Sequence, residues 1–319
     1  MSFTMNVKNE CVHVERLNSE VLSELSAIIY NDGTFNKNIK INTENSSLAR
    51  FIFTEIKTRY NITPKITVRK GYNFNRNYIY IIEINHKSNE ILADLGIKNN
   101  DEILEIPPDY IVDDEELKRA YLRGLFLSCG SVNDPKTSRY HLEFSIEKYK
   151  YARNMSKMLN YFNLNSKIIK KDTKYMVYVK EAEKIGDFLR IIKAMNAVMY
   201  YEDIRIYRDH KNMTNRLNNC EQANVDKIIA TAQKVVKDIK LLKEKDLFDL
   251  LDDKIKEVAI YREKYQEVSL SELSDIITYE TGKTITKSGI NHRIKKISEF
   301  AERARSSKWN IHQKKWIIY

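Results

Sequence analysis

Between Thr286 and Phe300 the sequence runs TKSGINHRIKKISEF. Ser288, Asn291 and His292 carry hydroxyl, amide and imidazole groups able to donate or accept hydrogen bonds at base edges, and Lys287, Arg293, Lys295 and Lys296 carry cations that neutralise phosphates. Ile290, Ile294 and Ile297 recur at helical spacing, so the polar and basic groups fall on the exposed side of a helix. For Arg293 and the lysines, a merely solvated basic face is the alternative. Charge distribution favours a polyanionic partner. From Lys283 onward there are ten Lys and Arg against two acids, Glu299 and Glu302, in a chain of formal net charge +10.

Such a face needs a neighbour to hold it. Ser269–Thr278 (SLSELSDIIT) is apolar on one side, and Ser269 followed by Glu272 fits a capping box. A turn containing Gly282 joins it to the basic helix. A first helix that packs and a second that enters the major groove form a helix-turn-helix. A further helix is predicted over Asp253–Tyr265. Ile228, Ile229, Ala232, Val235, Val236, Ile239 and Leu242 lie at helical spacing before it, opening a domain at residues 225–305. Residues 201–224 (YEDIRIYRDHKNMTNRLNNCEQAN) are polar, without a long apolar face, and read as a linker. Residues 306–319 form a basic, aromatic tail.

The first two thirds of the chain contain a repeat. LSAIIYNDG (Leu25–Gly33) and LRGLFLSCG (Leu122–Gly130) each space apolar residues three and four apart and end in a glycine where a helix C-cap falls. After the first come a strand at Ile39–Asn42, a helix at Ser46–Tyr60, strands at Lys65–Arg69 and Tyr78–Ile84, and a closing helix near Ser88–Leu95. After the second come Tyr140–Ser145, Lys148–Phe162, Lys167–Lys171, Lys174–Val179 and Ala182–Met195 in the same order. The expected fold class is α+β: an αββαββα unit repeated in halves at about 19–97 and 113–196, within a domain at 1–200, followed by the all-α helix-turn-helix domain.

This pattern resembles the LAGLIDADG homing-endonuclease fold, in which the two signature helices pack against each other. Ser26, Ala27 and Gly124 supply small residues for that contact, while Arg123 departs from the usual small residue. The resemblance implies that the eighth signature position of each helix carries a carboxylate and that the pair holds a divalent metal for phosphodiester hydrolysis. Here those positions are Asp32 and Cys129. A hard cation wants oxygen ligands, so the pair reads as degenerate, and neither cleavage, metal nor cofactor is expected. Asp32 alternatively reads as a helix-terminal turn residue. The sheets offer a second DNA surface through Lys65, Arg69, Lys70, Arg76, Lys167, Lys170, Lys171 and Lys174, interleaved with Tyr72, Phe74 and Tyr175, unless these are solvated hairpin residues. The acidic run Asp113–Glu116 reads as a helix N-terminal cap.

Composition narrows the rest. With 319 residues, 42% hydrophobic and 31% charged, two folded domains are expected. No stretch matches a membrane span or signal peptide, so the expected location is the cytoplasm, on the nucleoid. Cys11, Cys129 and Cys220 are too scattered for a disulfide framework or zinc knuckle. His13, His86, His141, His210 and His312 lack metal-ligand spacing. Phosphate-binding glycine loops are missing from the sequence.

ELSA in the first signature helix, YLRG, GSVNDPKTSRYHLE, YEDIRI, NRLNNCEQAN and KSGINHR together closely resemble the WhiA family of bacterial regulators, over nearly the whole chain. That resemblance implies binding to double-stranded DNA and effects on cell division and chromosome segregation, with sporulation-type transcription in some bacteria. Other transcription or division proteins are conceivable partners. Two other readings stay open: a nuclease whose single carboxylate is helped by Asp134, and a division scaffold whose repeat binds protein or a small ligand.

Overall fold

The computed structural model describes residues 2–35, 38–70, 78–100, 102–137 and 139–306. Tyr72, Phe74, Arg76 and tail residues 307–319 lie outside the described residues. The chain divides into two compact units, Met1–Asp209 and His210–Tyr319.

The first unit opens with α1 (Phe3–Val12), which buries Phe3, Val7, Cys11 and Val12. The first half-repeat is α2 (Asn18–Asp32), β1 (Gly33–Phe35), β2 (Ile39–Thr43), α3 (Ser46–Tyr60), β3 (Lys65–Lys70), β4 (Tyr78–Ile84) and α4 (Ser88–Asp94). A short hairpin, β5 (Lys98–Asn99) with β6 (Glu102–Ile103), and α5 (Asp109–Val112) lead to the second. That half is α6 (Glu115–Cys129), β7 (Gly130–Val132), β8 (Leu142–Ile146), α7 (Tyr149–Tyr161), β9 (Lys167–Lys171), β10 (Lys174–Val179) and α8 (Ala182–Ile191). The two halves form antiparallel sheets in the same order, β1-β2-β4-β3 and β7-β8-β10-β9.

Register follows hydrophobic alternation, because successive strand residues point to opposite faces. Ile39 and Ile41 pair with Ile84 and Ile82, and Leu142 and Phe144 with Val179 and Val177. All eight are buried, and the helices cover this face. Asp114 caps α6 as its acidic run suggests, accepting from the backbone N–H of Leu117 at 2.7 Å.

The signature helices α2 and α6 pack very closely. A Cβ on Gly124 would lie 2.3 Å from the Glu24 carbonyl oxygen and 3.0 Å from the Ala27 Cβ. Gly33 and Gly130 stand at the C-caps, with φ of −85° and −83°. This is ordinary extended backbone, so these glycines supply room and not left-handed freedom: a Cβ on Gly33 would meet the Ile29 carbonyl oxygen at 2.3 Å, and one on Gly130 the Phe126 carbonyl oxygen at 2.8 Å.

Arg123 is fully buried between the helices. Its Nε donates to Glu24 Oε2 at 3.1 Å and a terminal nitrogen reaches Glu20 Oε2 at 3.3 Å. Arg16 binds both oxygens of Glu24, at 2.6 and 3.1 Å, and Lys193 lies 3.4 Å from Glu20. The departure from a small residue at position 123 is thus matched by carboxylates on α2.

Residues 201–224, read as a linker, lie inside one helix, α9 (Met195–Glu244). Their polar sequence contains neither proline nor glycine, so nothing in it breaks the hydrogen-bond ladder. In the second unit, α9 packs with α10 (Asp253–Lys264), α11 (Leu270–Thr281) and α12 (Lys287–Arg305) around Val235, Ile239, Leu242, Val258, Leu273, Ile277, Ile290, Ile294 and Ile297.

Candidate nucleic-acid interface

The helix-turn-helix is α11, a turn and α12. Ser269 and Glu272 form the capping box, Ser269 Oγ accepting from the Glu272 N–H at 3.2 Å and the Glu272 carboxylate from the Ser269 N–H at 2.7 Å. Gly282 ends α11 at φ 69°, a left-handed conformation that glycine adopts without a Cβ clash. Ser274 Oγ donates to the Ile285 carbonyl at 2.5 Å, tying the turn to α11. Thr286 then caps α12, its hydroxyl accepting from the Gly289 N–H at 3.1 Å. At the far end the buried carboxylate of Asp238 on α9 accepts from Ser298 at 2.8 Å and from Arg305. Both ends of α12 are fixed.

The structure places Lys287, Ser288, Asn291, His292, Lys295 and Lys296 in exposed positions, and Arg293 half-buried. Counting about 100° per residue, the first six spread over the solvent side while Arg293 falls on the far flank of the isoleucine stripe. Among the described residues, none of the four cations is in an ion pair. This leaves them available to phosphates.

Sheet alternation divides the second set of basic residues. Lys65 and Arg69 pair with Glu83 and Ile79 on the face opposite the core, as do Lys167, Lys171 and Lys174 on the second sheet. Lys70 and Lys170 pair with Tyr78 and Tyr175 on the core-facing side, but on edge strands where both stay exposed. Tyr175 is half-buried, its ring 5.2 Å from that of Tyr149.

Asp32 and Cys129 end the paired helices. A third residue joins them: Lys8 of α1 donates to the Ser128 carbonyl at 3.1 Å and lies 5.8 Å from the Phe126 ring. Burial lowers the Lys8 pKa, against the opposing pull of Cys129 and Asp32. Burial pushes the Asp32 carboxyl up to about 6, with Lys8 pulling it down. The Cys129 thiol is pushed up to about 12, again by burial, and contacts the Leu125 carbonyl at 3.5 Å. One carboxylate, one protonated thiol and an ammonium do not fit a hard divalent cation, which needs several oxygen ligands and no competing positive charge. Asp134 is engaged elsewhere, accepting from Tyr200 Oη at 3.2 Å and the Lys136 N–H at 2.9 Å. Sequence reading missed α1 and with it Lys8. Phe3, Val7 and Cys11 at four-residue spacing signal the helix, but nothing local signals where Lys8 ends up.

A helix–sheet repeat whose paired helices end in Asp32 and Cys129, followed by a helix-turn-helix, defines a class of two-unit proteins in which α12 carries an exposed basic face. Three family models match in chain order: the WhiA N-terminal LAGLIDADG-like domain at residues 18–98, the WhiA LAGLIDADG-like domain at 118–211 and the WhiA C-terminal HTH domain at 214–301. The chain is 42% identical over 313 residues to the probable cell division protein WhiA of Bacillus mycoides (strain KBAB4), covering 96% of this chain and 98% of that protein. It is 40% identical over 311 residues to that of Staphylococcus haemolyticus (strain JCSC1435), with the same coverage. The crystal structure of full-length WhiA from Thermatoga maritima is similar at 26% identity and a TM-score of 0.57, covering 95% of this chain and 99% of that one. The chain belongs to the WhiA family, and its fold is the LAGLIDADG-like repeat with a C-terminal helix-turn-helix.

Proposed function

We propose that this protein is a noncatalytic, DNA-binding regulator of cell division in which α12 reads the major groove. One observation carries the reading: a helix fixed at both ends presents Ser288, Asn291 and His292 among cations that no carboxylate neutralises among the described residues. In this reading those three meet base edges, Lys287, Lys295 and Lys296 meet phosphates, and Arg293 reaches a phosphate from the other flank. The basic outer faces of the sheets add nonspecific contacts. The names of the relatives support the link to cell division. Roles in chromosome segregation and sporulation-type transcription, a cytoplasmic location on the nucleoid, and the domain assignment of 1–200 and 225–305 belong to the same proposal. Among the described residues, no helix is long and apolar enough to cross a membrane.

The test is fluorescence anisotropy of a labelled duplex over a range of salt concentrations. Each phosphate contact removed should lower the slope of log K against log salt by about 0.9, so Lys295→Ala with Lys296→Ala should lower it by roughly 2. Asn291→Ala should leave the slope alone and reduce discrimination between selected and random duplexes by about 1–3 kcal/mol. An unchanged slope in the double variant refutes the assignment to α12. Incubation of supercoiled DNA with magnesium or manganese should produce no nicking, and nicking that vanishes in Asp32→Asn would overturn the noncatalytic reading.

A further inference from the structure

The second unit contains a cleft of about 510 Å³ between α9 and α12, bounded by residues 268–270. This is within the range of small-molecule sites, roughly 300–1,000 Å³. Ile228, Val235, Leu270 and Ile294 give it an apolar wall. Its three charged side chains, Lys227, Arg262 and Lys287, are all positive, and no Asp or Glu lines it. Arg262 is 1% exposed. One terminal nitrogen donates to the carbonyls of Val268 at 2.8 Å and Tyr265 at 3.3 Å, while Nε has no hydrogen-bond partner. Among the described residues no carboxylate pairs with it. A buried guanidinium without a counter-ion is unfavourable, and burial lowers its pKa accordingly. An apolar wall with unopposed cations is complementary to an anion carrying an apolar body.

We propose that this cleft binds a medium-chain carboxylate, its chain along the Ile228, Val235 and Ile294 wall and its carboxylate among Lys227, Lys287 and Arg262. Lys287 and Asn291 line the same cleft and belong to the face assigned above to DNA. Resting on that reading, an occupied cleft opposes duplex binding and makes the helix-turn-helix responsive to a small ligand.

The probe is decanoate, titrated calorimetrically into the full chain without DNA, with 1-decanol and decyltrimethylammonium as neutral and cationic counterparts of the same chain length. Decanoate should bind at one site at least tenfold more tightly than either. Thr231→Trp, at an exposed α9 position on the cleft, should abolish binding with the melting profile retained, and Lys227→Glu should weaken it at least tenfold. Equal binding of the three probes, or decanoate binding that survives both substitutions, overturns the site. In a second arm, saturating decanoate should weaken duplex binding tenfold or more in the parent protein and leave Thr231→Trp unaffected. If decanoate binds but duplex affinity is unchanged, the site stands and the assignment of Lys287 and Asn291 to DNA falls.

Discussion

Glu24 links the two signature helices through Arg123. Its side chain is fully buried, and its oxygens accept from Arg16 at 2.6 and 3.1 Å and from Arg123 Nε at 3.1 Å, with a terminal nitrogen of Arg123 in ion-pair contact at 3.0 Å. Glu24→Gln keeps the shape and removes the charge. Arg123, with no exposed side-chain area, would then retain only Glu20 at 3.3 Å as a carboxylate partner. Arg16 would be left with the carbonyls of Cys11, Val12 and Val14. Leaving a buried charge uncompensated costs about 3–5 kcal/mol. At roughly 2–4 °C per kcal/mol for a unit of this size, the first unit should melt about 6–20 °C lower by calorimetry. Arg123→Met should cost less, because Glu24 keeps Arg16, and in the double variant the two losses should be less than additive. The exposed pair Lys150 with Glu105 is the control: Glu105→Gln should cost under about 1 kcal/mol. A Glu24→Gln melting point within 2 °C of the parent refutes the argument that this charge network holds α2 to α6.

Gly124→Ala forces a Cβ onto the backbone of α2 and should destabilise the first unit by at least about 1–3 kcal/mol, whereas Gly289→Ala, whose Cβ would meet nothing closer than 3.4 Å, should stabilise α12 by up to about 1 kcal/mol; urea midpoints of opposite shift check the contrast. Asp32 should titrate near pH 6 by carbonyl NMR shifts, and higher still in Lys8→Met, which removes the cation opposing burial. Since its folded pKa lies above the ordinary 3.8, its contribution to stability should rise as pH falls from about 6 toward 4, and Asp32→Asn should flatten that rise; titration in the ordinary carboxylate range refutes it. Ser269→Ala removes one half of the α11 capping box and should cost the second unit about 1 kcal/mol, read from its thermal midpoint.

Most elements were legible because helical and strand periodicities are local. Ser46–Tyr60 and Lys174–Val179 were read with the bounds the structure gives them, and the isoleucine stripe of α12 and the Ser269–Glu272 box lie where the spacing put them. Residues 201–224 read as a polar linker, and polarity alone does not show that the segment is helical: free of proline and glycine, it continues a helix that is anchored in an apolar core at each end.

The matched placement of Asp32 and Cys129 at the ends of the two helices was likewise visible from the repeat, since it needs only residue type at matched positions. Its surroundings were not. Lys8 reaches Ser128 across 120 residues, Arg123 reaches Glu24 across 99, and Arg262 faces a cleft formed in part by α9 and α12. In the sequence each is simply a charged residue. Burial and partnership depend on which elements pack together, and no spacing along the chain encodes that. The sequence alone therefore determined the repeat, the helix-turn-helix and its basic face. The tertiary structure decided which charges are buried, which are compensated and which remain exposed, because those are properties of packed surfaces.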